Sequence, residues 1–115
     1  MPNAVIAVSF KDMAIDEELR EELEKRCRTL AGEFPEVAQV EVTITPDGTG
    51  HAASGHVSGK STRLATHATA VEPGHAADQL LDTLRQQLRR AHEKRIFARR
   101  RDAQQRNPKR EPRKR

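Results

Sequence analysis

The chain has 115 residues, 35% of them hydrophobic and 33% charged, with a formal net charge of +4. That length predicts one domain with a modest core. The single cysteine, Cys27, excludes an internal disulfide and a cysteine-based metal site, and no apolar run reaches the roughly 18 residues of a membrane-crossing helix. The charge is unevenly placed. Residues 1–93 hold 10 Lys+Arg against 15 Asp+Glu, whereas residues 94–115 hold 11 against 2. A basic end on an acidic body points to an anionic polymer or surface as partner.

Ala4 to Phe10 is short, apolar and β-branched, which predicts a strand. Met1–Phe10 has no cationic segment leading into a long apolar run, so no secretory signal is expected. A helix follows from Asp16 to about Ala31. Asp16 is placed to cap it, Glu17 and Glu18 suit its positive end, and Leu19, Leu23, Cys27 and Leu30 form the apolar stripe. Gly32 reads as its C-cap, and Pro35 prevents continuation. Val37 to Thr45 alternates, with Val40, Val42 and Ile44 on one face. Pro46-Asp47-Gly48 is a turn, His51 to Ser58 a second strand of this group, Gly59-Lys60-Ser61 a further turn, and Thr62 to Glu72 a third strand. Pro73-Gly74 breaks that strand.

The longest helical pattern runs from Ala76 to Arg95. Ala77, Leu81, Leu84, Leu88 and Ala91 recur at steps of four and three, and Leu80 widens the stripe. Arg85, Arg89, Arg90 and Lys94 fall outside it. Arg95 and Arg99 take the next two seam positions, so core packing is expected to end near Ala91. The predicted architecture is α+β, in the order β-α-β-β-β-α, with an antiparallel meander and two helices packed on one face of a four-stranded sheet. Residues 1–98 form the domain, and residues 99–115 are expected to be a disordered basic tail.

Chemistry-bearing clusters are sparse. His51, His56, His67, His75 and His92 lack the convergent spacing of a metal site. Cys27 lies on an apolar stripe near a helix C-terminus, where a thiolate is disfavoured. Gly59-Lys60-Ser61 lacks the rest of a phosphate loop and joins two strands. Hence no enzyme, cofactor, metal or small-molecule substrate is expected. The basic residues point instead to nucleic acid. With no Trp or Tyr, and with Phe10 and Phe34 assigned to the core, stacking on single strands is poorly served. Phosphate and shape recognition of structured RNA or DNA is expected.

The residues also resemble a known family. Ile15-Asp16-Glu17-Glu18-Leu19-Arg20-Glu21, Gln39-Val40-Glu41-Val42, His56-Val57-Ser58-Gly59 and the run from Asp78 to Arg90 follow, in order, motifs of the ribosome hibernation-promoting factors. That family is also called protein Y, ribosome-associated inhibitor or sigma-54 modulation protein. The similarity spans about Val5 to Arg95, and the C-terminal dimerisation domain of the family's long members is not expected within these 115 residues. The family's D-M-Y-A-A-I-D stands here as Glu72 to Asp78, without its tyrosine.

The resemblance implies a cytoplasmic translation inhibitor, monomeric when free. Such a factor binds the small ribosomal subunit and its rRNA and occupies the mRNA/tRNA channel without catalysis or membrane contact. Arg20 and Arg26 match basic positions of the family's first helix, while Arg85, Arg89 and Arg90 lie on or beside those of its last. With Lys60, Arg63, Lys94, Arg95, Arg99, Arg100 and Arg101 they form the candidate RNA-binding set. The alternative is a general structured-RNA or DNA-binding module driven by the basic tail.

Overall fold

A computed structural model of the chain describes residues 4–60 and 62–105, and for the last eleven of these the backbone alone. The elements are β1 (Val5–Phe10), α1 (Glu17–Glu33), β2 (Val37–Asp47), β3 (Gly50–Gly59), β4 (Thr62–Ala70) and α2 (Pro73–Gln105). The strands form one sheet in the order β1-β2-β3-β4. The antiparallel meander holds for β2, β3 and β4, but β1 lies parallel to β2, pairing Ile6 with Val40 and Val8 with Val42. The physical reason is the connection. The 17-residue helix carries the chain back to the starting end of β1, and the next strand must then run the same way.

Local chemistry sets the element ends. Asp16 caps α1 as expected, its carboxylate accepting from the Leu19 N–H at 3.2 Å. Gly32 does not end the helix. α1 continues to Glu33, and Phe34, extended at φ −126, is the C-cap. Pro35 supplies the stop by pushing the residue before it out of helical geometry. β4 ends at Ala70 rather than Glu72. Pro73 opens α2 instead of separating it from the strand, because proline at the first helical position sacrifices no internal hydrogen bond. The Ala76 N–H then donates to the Glu72 carbonyl at 3.1 Å. At its far end α2 continues to Gln105, so residues 99–105 of the expected tail are helical. Their Ala, Arg and Gln content favours helix. Residues 106–115 lie outside the described residues.

Both helices cover one face of the sheet. Val40, Val42, Ile44, Ala53 and Val57 of the sheet meet Leu23, Cys27 and Leu30 of α1 and Leu80, Leu84 and Leu88 of α2, all buried. Gly55 lies directly beneath α2, where a Cβ would come within 3.0 Å of Leu84 Cδ1. The other face is solvated and small: Thr43, Ser54 and His67 form one cross-strand row on it, and Glu41, His56 and Ala65 the next. Thr62 at the start of β4 is the single buried polar residue among those described. Among the described residues no helix is long and apolar enough to cross a membrane.

Candidate nucleic-acid interface

The topology sorts charge between the two ends of the sheet. α1 starts where β1 ends, and α2 starts where β4 ends. Those two strand ends, with the β2–β3 turn, make one end of the molecule. It exposes Asp12, Asp16, Glu17, Glu18, Asp47 and Glu72 against Lys11. The opposite end gathers the α1–β2 loop, the β3–β4 turn and the middle of α2. There the Lys60 N–H donates to the Glu36 carbonyl at 3.1 Å. The Glu36 carboxylate meets His92 Nδ1 at 3.3 Å, and the His92 ring stands edge-on to Phe34 with centroids 6.1 Å apart. Glu36 is nearly buried, so this contact pins α2 at the point where it leaves the body. Among the described side chains of α2, Leu88 is the last that is fully buried, Ala91 and His92 are half-buried, and Glu93 and Lys94 are exposed. From Leu88 to Gln105 the helix reaches about 26 Å further.

The candidate RNA-binding residues separate accordingly. Lys60 is exposed in the β3–β4 turn, and Arg63 is exposed beside it on the open sheet face, opposite Ser58. Arg89, Arg90 and Lys94 are exposed on α2 as it passes the same end. Arg63, Arg89, Arg90 and Lys94 have no ion-pair partner among the described residues. The side chains of Arg95, Arg99, Arg100 and Arg101 lie outside the described residues, while their backbone continues the helix.

The remaining three arginines are held by carboxylates. Arg20 sits in the first turn of α1, at the acidic end, 2.7 Å from Glu17 and 4.0 Å from Glu24. The hydrogen bond and charge of Glu17 raise its pKa. Arg26 pairs across the helices with Asp78, and Arg85 pairs with Glu33 at 2.5 Å. Both interhelical pairs join residues 52 positions apart, so α1 and α2 run parallel, side by side. Between the pairs lies a groove of about 150 Å³, with Leu30 and Leu81 among its lining residues and Asp82 on its rim. Neither Glu33 nor Asp78 stands out in the sequence as a partner. The pairing depends on how two helices far apart in the chain are placed on the sheet.

Among the described residues, no group of three or more His, Cys, Asp or Glu could hold a metal ion. Cys27 is buried on the sheet-facing side of α1, and burial pushes its thiol up to about 11. It therefore packs as a small apolar residue. His51 is committed to structure, its Nδ1 lying 2.8 Å from the Val71 carbonyl.

Two solved structures share this arrangement. The N-terminal domain of Thermus thermophilus protein Y superposes with a TM-score of 0.66 at 17% identity, over 76% of this chain and 97% of that one. A ribosomal subunit interface protein from Coxiella burnetii gives 0.66 at 18% identity, with the same shares covered. At such identities these likenesses establish a common fold. A comparison with curated proteins gives no match. The sequence itself carries the kinship: over residues 6–96 it matches the family model, and the chain belongs to the family described as sigma 54 modulation protein / S30EA ribosomal protein.

Proposed function

We propose that this protein is a ribosome-binding hibernation factor. It occupies the mRNA/tRNA channel of the small subunit in the cytoplasm and silences translation by exclusion, without catalysis. Family membership supports the ribosome as partner. The observation that carries the mode of binding is the basic end. Lys60, Arg63, Arg89, Arg90 and Lys94 all lie at that end, on a turn, the open sheet face and the helix layer, and the α2 extension leads from it into the Arg-rich segment. Such an end neutralises phosphates of a folded RNA and needs no base-specific ring. A rigid two-layer body behind it supplies the bulk that excludes mRNA and tRNA.

The test is co-sedimentation with purified small subunits. Changing Arg63, Arg89 and Arg90 together to Ala is expected to weaken binding at least tenfold near 0.1 M salt and to flatten its salt dependence. Unchanged co-sedimentation would remove this face from the interface. Inhibition of translation should track occupancy across the same salt series.

A further inference from the structure

The α1–α2 groove is flanked by two arginines that each spend a terminal nitrogen on a carboxylate. We propose that Glu33 and Asp78 gate this groove: they hold Arg85 and Arg26 in intramolecular ion pairs and keep the affinity for RNA below what the chain's arginines would give. The inference rests on the ribosomal RNA reading above and concerns how that same surface is tuned.

The charges decide it. The two ion pairs leave Arg26 and Arg85 facing Asp78 and Glu33, and Asp82 lines the same groove with no ion pair among the described residues. With Asp78 beside the groove, three carboxylates stand against two guanidiniums, a balance that disfavours a polyanion. Arg89, one turn beyond Arg85 on the same flank, has no such partner. A phosphate that takes the nitrogen now held by a carboxylate replaces one charge-assisted contact with another of equal kind, and one that takes a remaining N–H faces that carboxylate at short range. The gain is near zero while both carboxylates are ionised. Both pairs are partly exposed, so the gate is weak enough to be opened by removing its charge without unfolding the helices.

The experiment compares the full-length protein with Glu33→Gln/Asp78→Asn in salt titrations of binding to purified small ribosomal subunits. The double variant is expected to bind about tenfold more tightly, with a salt slope steeper by roughly one to two, one for each freed guanidinium that reaches a phosphate. Adding Arg26→Ala and Arg85→Ala should cancel both gains. Asp82→Asn removes the same charge from the same groove but frees no arginine, so it should leave the slope unchanged. Two outcomes overturn the gate: a double variant with unaltered affinity and slope, or an Asp82→Asn variant that matches it in both. Arg89→Ala/Arg90→Ala separates the two levels. If that pair weakens binding while the double variant does nothing, the gate fails and the ribosomal reading stands. If that pair also has no effect, the reading fails and the gate falls with it.

Discussion

A methyl group on Gly59 would lie 1.9 Å from the Glu36 carbonyl oxygen and 2.9 Å from the Ala38 N, both backbone atoms. No rotamer relieves such an overlap, so Gly59→Ala must move the β3–β4 turn away from the α1–β2 loop. A loss of about 1–3 kcal/mol is expected in urea unfolding. Gly32 offers the control. It lies inside α1 with nothing within 4 Å of its Cβ position, so Gly32→Ala should stabilise by about 0.5–1 kcal/mol. Equal effects at the two glycines would contradict the packing. Cys27 supplies a residue-scale pH dependence. Its folded pKa is raised from an ordinary value of 9.0 to about 11 by burial. Between those values the folded state holds a proton that the unfolded chain releases, so stability is full below pH 9 and falls as pH rises toward 11. The fall is on the order of 2 kcal/mol, and a Cys27→Ala variant should lack it. Unfolding midpoints at pH 8 and pH 10.5 check both statements.

Single elements were readable where their residues answer to local rules. The Asp16 cap and the Val40/Val42/Ile44 alternation follow from backbone donors and from the two-residue period of a strand. The stripe from Ala77 to Leu88 likewise follows from the helical repeat. What escaped was decided between elements. The parallel placement of β1 depends on the return path through α1. The pairs of Arg26 with Asp78 and of Arg85 with Glu33 depend on two helices 52 residues apart in the chain. Basic side chains on a helix flank therefore raised an expectation of nucleic acid, while the carboxylates paired with two of them stayed invisible. The His92–Glu36 contact belongs to the same class and has a measurable consequence. His92→Ala would leave a nearly buried carboxylate without its imidazole, at a local cost of about 1–3 kcal/mol. Amide exchange at residues 88–92 of α2 should accelerate roughly tenfold, with the β2 and β3 amides unchanged. Uniform acceleration across the sheet would show instead that His92 supports the whole core.

At the scale of the whole molecule the chain is an electrical dipole with a handle. Carboxylates cluster where the helices begin, and cations cluster where α1 ends and α2 leaves the body. An approaching polyanion should be met end-on, with the acidic pole turned away. The last prediction separates the two parts of the basic pole. Residues 99–115 hold nine Lys+Arg against two Asp+Glu, so deleting them changes the net charge from +4 to −3. If the tail alone held RNA, the remaining acidic protein would lose all saturable binding to small subunits. If the folded end makes a defined site, Lys60, Arg63, Arg89, Arg90 and Lys94 remain. Affinity should then fall and the salt slope should shallow, while saturation at one chain per subunit persists below about 0.05 M salt. The second outcome is expected, because those five cations are set on three different elements of a rigid sheet-and-helix frame. Their backbone positions are fixed before binding, so less has to be ordered on the RNA. Binding by tail charge alone selects no site and would take any phosphate backbone with similar strength. Competition by bulk transfer RNA makes the distinction visible: the shortened protein should resist it better than the full chain does.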